Sequence, residues 1–292
     1  MSEAPRGRWR SVLFAPGNRL DLLGKLLATT ADVVVADLED AVPAVDEAKR
    51  LARAVIDGWV ADVGSADDRP RVLVRVNPLD SQWVAADLDV ATLPAVDGII
   101  VPKAESTDAL KEARARWQAA RQRRGAAEGV LLAGIESAEG VARSEELAKS
   151  GAVDAVYFGA EDFITDLGGR RTASSLEVLH ARSRVVLAAR LGSIPAIDQV
   201  VVDYRDDDHF LRDASDARDL GFSGKLCIHP RQVPLANHTF SPAEDEMAAA
   251  KRIVDAAEAG ERAGLGVISV DGRMIDAPLV ERARRTLAAR AT

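Results

Sequence analysis

Short runs of apolar residues alternate along the chain with longer stretches whose apolar positions recur at helical spacing. Eight of the runs read as strands: residues 11–16, 33–39, 71–77, 98–103, 130–136, 155–161, 195–201 and 225–229. Their hydrophobicity is continuous rather than alternating, as expected of strands buried on both faces in a parallel sheet. Between them, residues 46–60, 108–124, 138–150 and 176–191 carry amphipathic helical patterns. Eight consecutive βα units without a clear linker predict an α/β fold, a (β/α)8 TIM barrel; a doubly wound sheet is the alternative. No short sequence repeat is visible.

The barrel is expected to close near residue 240. This assigns residues 1–240 to it and leaves 241–292 as a C-terminal extension. In the extension, Ser241 reads as an N-cap and Pro242 as the first residue of a helix running to Arg262. Residues 267–271 and the following Gly272 read as a strand and turn suited to a hairpin, and a second helix is expected from Ala277. A segment of this size cannot bury a core alone, so it must pack on its own barrel or on a neighbouring subunit.

Composition narrows the picture. Hydrophobic residues make up 47% of the 292, but aromatics only 4%, so the core must be built from Val, Leu, Ile and Ala, the mix that fills barrel interiors. The net charge of −8 argues against a nucleic-acid partner, and an anionic substrate would need local basic groups. The single cysteine, Cys227, excludes a disulfide framework and a cysteine-based zinc site, and it suits a reducing cytoplasm. The N-terminal stretch lacks the apolar segment of a secretion signal, and no run approaches the ~18 apolar residues of a membrane span. The expectation is a cytoplasmic protein with no membrane partner.

In such a barrel the chemistry collects at the C-terminal ends of the strands. Those ends bring Pro16-Gly17-Asn18-Arg19, Glu39-Asp40, Arg75 with Asn77, Lys103, Glu136, Gly159-Ala160-Glu161-Asp162, Asp198 or Asp203, and His229. Glu136 and Asp162 end neighbouring strands, and two hard-oxygen carboxylates side by side suit Mg²⁺ or Mn²⁺. The small residues around them, Gly134, Ser137, Gly140, Gly159 and Ala160, leave backbone room for a ligand. Arg75 lies within a strand, where its charge must either be neutralised by Glu39 or Asp40 or serve an anion. Arg19 either opens the first helix at the surface or faces the site. Glu39 and Asp40 are either metal ligands themselves or, as the preferred reading, acids behind the ligands that hold the metal's waters. Lys103 is either an ion-pair partner or a substrate contact, and His229 reads as a hydrogen-bonded structural histidine. No dinucleotide-binding GxGxxG, phosphate-binding loop, HExxH or GxSxG is present.

Taken together, RSVLFAPGNR (10–19), VVVADLEDAV (33–42), LVRVNP (73–78), IIVPKAES (99–106), IESAEG (135–140), FGAEDF (158–163), GFSGKLCIHPRQ (221–232) and MIDAP (274–278) resemble the citrate lyase beta subunit-like family. That family lies within the aldolase/citrate lyase superfamily that includes malyl-CoA and citramalyl-CoA lyases. The resemblance implies a TIM barrel assembled as a homotrimer or hexamer, with Mg²⁺ held by Glu136 and Asp162. It implies that Arg75 and the backbone amides of a Gly159-Ala160-Glu161-Asp162 loop hold a 2-oxo acid; beside them the strand-end reading sets Arg19 and Glu136 toward the substrate and Glu39, Asp40 and Lys103 behind. It gives Asp276 a catalytic role in the active site of an adjacent subunit, whereas the residues alone also allow a helix N-cap there. The implied activity is reversible carbon–carbon cleavage of a 3-hydroxyacyl-CoA into acetyl-CoA and a 2-oxo acid. Alternatives are a citrate lyase subunit acting on an acyl carrier protein, a malyl-CoA thioesterase, and a non-catalytic barrel that binds 2-oxo acids.

Overall fold

The computed structural model describes residues 7–63, 69–262 and 267–291. Eight strands, β1 (Ser11–Pro16), β2 (Val33–Asp37), β3 (Arg71–Arg75), β4 (Gly98–Val101), β5 (Val130–Ile135), β6 (Ala155–Phe158), β7 (Ala196–Asp198) and β8 (Gly224–Cys227), pair in sequence order. All the pairings are parallel, and β8 returns to pair with β1, so the sheet closes into a barrel. Ten helices cover or follow it: α1 (Leu20–Leu26), α2 (Asp46–Asp62), α3 (Val84–Val90), α4 (Thr107–Arg123), α5 (Ala138–Ala142), α6 (Ser144–Lys149), α7 (Ala160–Leu167), α8 (Leu176–Gly192), α9 (Asp207–Leu220) and α10 (Gln232–Thr239). This is a (β/α)8 TIM barrel; closure removes the doubly wound alternative.

Seven of the eight strands stop earlier than the apolar runs suggest. After β2, for example, the Asp37 carboxylate accepts the N–H groups of Glu39 (2.9 Å) and Ala41 (3.2 Å), which turns the chain out of the ladder. Residues 138–150 form two helices rather than one. The Ser144 hydroxyl donates to the Val141 carbonyl (2.9 Å), and Arg143 between them has φ −97° and ψ 6°. Side-chain bonding of this kind competes with the helical ladder.

Inward positions alternate with outward ones along each strand. Val12, Val33, Val35, Leu73, Ile100, Leu132, Ala155, Tyr157, Ile197 and Leu226 form one buried cluster inside the barrel, and Trp9 joins it. The Arg71 guanidinium lies 4.0 Å from the centre of the Trp9 ring. Outward positions next to these hold a closed charge quartet beneath the helices. Asp198 on β7 accepts from Arg182 on α8 (3.0 and 2.9 Å) and from Lys225 on β8 (2.7 Å). Asp213 on α9 pairs with the same Lys225 and, at 3.2 Å, with Arg182. All four side chains are buried, two positive and two negative.

A recurring clasp ties the N-terminal rim. Asp32, Asp97 and Asp154 stand immediately before β2, β4 and β6. Each accepts a backbone N–H at the preceding odd strand: Arg10 N, Val72 N and Leu131 N, all at 2.8 Å. Each is also gripped by an arginine, namely Arg10, Arg69 and Arg114.

Residues from Thr239 onward make a second compact unit. It consists of α11 (Glu244–Arg262), the antiparallel pair β9 (Ile268–Val270) and β10 (Arg273–Ile275), and α12 (Ala277–Ala291). Asp271 (φ +51°) and Gly272 (φ +75°) form the turn between the strands, the doubly left-handed geometry of a tight hairpin. Ala257, Ile275 and Val280 form its small core, with Ile253, Ile268 and Val270 against them. The first helix begins at Glu244, two residues beyond Pro242. The Ala243 N–H donates to Glu246 (2.8 Å) and its carbonyl accepts from Met247 (2.9 Å), so Ala243 rather than Ser241 stands at the cap. No described helix is long and apolar enough to cross a membrane.

Candidate active site at the C-terminal end of the barrel

Inward parity carries two charged residues to the top of the barrel. Asp37 follows Val33 and Val35 on β2, and Arg75 follows Leu73 on β3. They meet as a fork: Arg75 Nε donates to Asp37 Oδ1 (2.7 Å) and Nη2 to Oδ2 (2.6 Å). The remaining edge, Nη1, lies 2.8 Å from Glu39 Oε2 and 3.6 Å from Asp40 Oδ2. Burial acts to lower the Arg75 pKa, but the charge and hydrogen bonds of Asp37 more than offset it and keep the guanidinium fully charged. Phe14 packs 5.3 Å from the guanidinium.

Glu136 follows β5 and is 2% exposed. Its Oε1 accepts a short hydrogen bond from the Tyr157 hydroxyl, and its Oε2 accepts the Lys103 N–H at 3.3 Å. Two glycines make the space for it. A Cβ on Gly134 would stand 2.5 Å from Tyr157 Oη, and one on Gly159 2.6 Å from Glu136 Cγ. Burial pushes the Glu136 carboxyl up to about 7; the Tyr157 hydrogen bond pulls the other way, and the charge of Glu39 adds to the rise. Burial also pushes Tyr157 well above its ordinary value, with the Glu136 charge reinforcing it.

Lys103 links the groups. Its Nζ donates to Glu39 Oε1 at 2.8 Å and lies 3.4 Å from Asp162 Oδ1. Burial acts to lower its pKa, but the hydrogen bond and charge of Glu39, with Asp162 beside it, raise it overall. Asp162 is on the first turn of α7, its side chain 40% exposed. The 159–162 segment is therefore a helix start rather than a loop: Gly159 is the N-cap, and Ala160, Glu161 and Asp162 present first-turn N–H groups. Beside this cluster lies a cavity of ≈ 380 Å³ walled by Phe14, Pro16, Asp37, Arg75, Tyr157, Val200, Leu226 and Ile228.

Not every candidate joins it. Glu161 pairs with Arg171 at 3.1 Å. Arg19 is held by Asp21 (2.9 Å) on the surface, its side chain 56% exposed. Asp40 lines the cavity with its side chain exposed, but it lies 3.6 Å from Arg75 Nη1, outside the hydrogen-bonded cluster. Asp198 lies in the buried quartet on the outside of the barrel, and Asp203 accepts the Arg205 N–H in its own loop (3.1 Å). His229 stacks on Tyr204 at 4.5 Å and its Nδ1 accepts the Arg231 N–H (3.2 Å), a structural histidine. Asp276, in the second unit, is exposed and caps α12 through the Leu279 N–H (3.3 Å). Conversely, Asp37 and Tyr157 belong to the cluster without being singled out by the strand-end pattern. Their shared inward parity with Val35 and Ala155 is the signal that finds them.

The donor chemistry fits a hard divalent cation. Glu136 and Asp162 offer carboxylate oxygens, Glu39 adjoins them, and the burial that disfavours an uncompensated charge on Glu136 favours a cation beside it. Among the described residues, no three His, Cys, Asp or Glu side chains form a finished metal cage.

Residues 10–230 match the family described as HpcH/HpaI aldolase/citrate lyase. The chain is 46% identical over 284 residues to a citrate lyase subunit beta-like protein of Deinococcus radiodurans, covering 97% of this chain and 98% of that one. It is 34% identical to a (3S)-malyl-CoA thioesterase of Cereibacter sphaeroides, covering 96% and 94%. The crystal structure of CitE from Mycobacterium tuberculosis in complex with magnesium, acetoacetate and coenzyme A superposes with a TM-score of 0.77 at 30% identity, covering 97% of this chain and 98% of that one.

Proposed function

The chain belongs to the HpcH/HpaI aldolase/citrate lyase family, and within it we propose that it is a carbon–carbon lyase acting on a 3-hydroxyacyl-CoA such as malyl-CoA or citramalyl-CoA. The products are acetyl-CoA and a 2-oxo acid. The observation that carries the reading is one juxtaposition. A guanidinium held in a carboxylate fork faces a cavity whose wall also contains Tyr157, the hydrogen-bond partner of Glu136. An anion receptor thus stands beside hard-oxygen ligands, the pair of sites that a hydroxy acid or oxo acid requires. Magnesium and coenzyme A in the solved CitE support it.

Glu136 and Asp162 would hold Mg²⁺, with Mn²⁺ as a substitute, and the ion when bound supplies Lewis-acid polarisation of the substrate oxygen. Asp37 fixes the Arg75 plane, and Nη1, which pairs with Glu39 at 2.8 Å, exchanges that partner for the substrate carboxylate. The first-turn N–H groups of α7, at Ala160, Glu161 and Asp162, add donors and the positive end of a helix dipole. The bond between the thioester α-carbon and the hydroxyl-bearing carbon breaks. The hydroxyl proton passes to solvent water, from which Asp276 is reprotonated; the hydroxyl-bearing carbon becomes the carbonyl of the oxo acid, and the bond's electron pair passes to the thioester as an enolate. Asp276 of an adjacent subunit donates the proton that converts this enolate to acetyl-CoA; in the synthetic direction it removes that proton. Its exposed position supports the role, and the active assembly is then a homotrimer or hexamer. The buried Cys227 suits work in the cytoplasm.

Mass spectrometry of malyl-CoA and citramalyl-CoA incubated with enzyme and Mg²⁺ tests the proposal. Matched acetyl-CoA and oxo acid are expected, and they should disappear with Glu136→Ala; undiminished Mg²⁺-dependent turnover in that variant refutes the scheme. The thioesterase relative motivates a second reading, in which water attacks the thioester carbonyl. Free CoA without carbon–carbon cleavage is its mark.

A further inference from the structure

One residue touches three of the site's acids. The Lys103 ammonium sits between Glu39 Oε1 (2.8 Å) and Asp162 Oδ1 (3.4 Å), while its own N–H holds Glu136 Oε2 (3.3 Å). Its backbone is also unusual. Lys103 has φ +49°, in the left-handed region that costs a side-chain-bearing residue free energy. Among the described residues, three other non-glycine residues share the sign of φ: Ser175 and Ser193 at helix caps, and Asp271 in the hairpin turn. The C-terminal cap at Ser193 and the hairpin turn at Asp271 favour such a conformation, whereas Lys103 follows a barrel strand and touches three acids there.

We propose that Lys103 is a built-in counter-ion, which holds Glu39 and Asp162 together in the metal-free protein and which a divalent cation must displace to complete its site. The inference rests on the reading of Glu136 and Asp162 as the metal ligands. Three features support it. The grip on Asp162 is a loose ion pair rather than a tight bond, so a dication competes well for that oxygen. The side chain is 37% exposed on a flexible four-carbon stem, so the ammonium has somewhere to go. The same ammonium lies 2.8 Å from Glu39 Oε1, so the two carboxylates already share one cation.

Calorimetric titration of Mg²⁺ into the full-length protein, its Lys103→Met and Lys103→Arg variants, and Glu136→Gln provides the test. Lys103→Met is expected to bind Mg²⁺ about tenfold more tightly than wild type, because the competing charge is gone, and Lys103→Arg is not. In the wild-type protein, labelling of Lys103 by an amine-reactive ester, read by peptide mass spectrometry, is expected to rise severalfold on adding Mg²⁺. Equal or weaker Mg²⁺ binding by Lys103→Met, or labelling unchanged by Mg²⁺, overturns the proposal. Glu136→Gln separates the two levels. If it binds Mg²⁺ like wild type, the metal site itself is misassigned and the counter-ion falls with it. If it loses Mg²⁺ while Lys103→Met behaves as wild type, the counter-ion alone is wrong.

Discussion

Asp198→Ala tests the buried quartet quantitatively. In the native protein Arg182, Asp198, Asp213 and Lys225 balance to zero charge with their side chains out of water. Removing Asp198 leaves two cations facing Asp213 alone, so one buried positive charge lacks a partner. Breaking a buried pair in this way costs about 3–5 kcal/mol, which for a domain of this size corresponds to a Tm drop of roughly 6–20 °C. The cost lies in the orphaned charge rather than in the lost attraction. The double variant Asp198→Leu/Lys225→Met leaves Arg182 and Asp213 as a pair and should therefore lie within about 2 kcal/mol of wild type. Calorimetry and urea unfolding of both variants measure this, with turnover at 25 °C as a control. Asp198 is on the outer face of β7, so the folded single variant keeps its activity. A loss below about 1 kcal/mol in the single variant would mean that the quartet is screened like a surface ion pair, and the argument from burial would fail. Loss of turnover in a folded variant would return Asp198 to the active site.

Tyr157→Phe should leave the fold intact while lowering kcat/KM at saturating Mg²⁺ by about 10–100-fold, since the hydroxyl orients Glu136; steady-state kinetics with circular dichroism decides. The Cys227 thiol, pushed up to about 12 by burial, should not react with a thiol reagent in the native protein and should titrate as one thiol after unfolding in guanidinium. A fast native reaction would contradict its position. Acid should weaken the barrel through Asp213. Burial alone would raise its pKa, but Lys225 and Arg182 hold it below the ordinary carboxylate value. Its contribution is therefore complete above the unfolded pKa of ~3.9 and is lost as pH falls below that value. Thermal melts between pH 5 and pH 2 should show the decline, and it should be shallower in Asp213→Asn.

The strands were legible because a parallel barrel buries both faces of each one, and eight continuous apolar runs leave few other folds. Their ends were less legible. Apolar or small residues such as Leu38, Val76 and Ala160 continue the pattern beyond the ladder, where side-chain turns and a helix cap redirect the chain. Glu136, Arg75 and Lys103 could be found because a charge at the end of an apolar run is conspicuous. Asp37 and Tyr157 were not, because one adjoins the more prominent Glu39-Asp40 pair and the other passes for a core aromatic. Asp198 had the opposite problem: its place at a strand end suggests the site, but its outward parity puts it under the helices. The rim clasps are not visible in the sequence because the repeat is a single aspartate per two βα units, with two of the arginines just ahead of an odd strand and the third on α4.

Those clasps have a bearing on how the barrel moves. They join β1 to β2, β3 to β4 and β5 to β6 at the N-terminal rim, while β7 and β8 are joined beneath the helices by the Asp198–Lys225 contact. The side-chain links across two of the seams between these pairs, Asp37 to Arg75 and Lys103 to Glu136, lie at the opposite rim and are made by the proposed working groups themselves. The barrel thus resembles four staves, three of them bound at the base, laced at the mouth by its own chemistry. A ligand that draws on Arg75, Lys103 or Glu136 would compete with this lacing, so occupancy of the site would bear on the seams between staves.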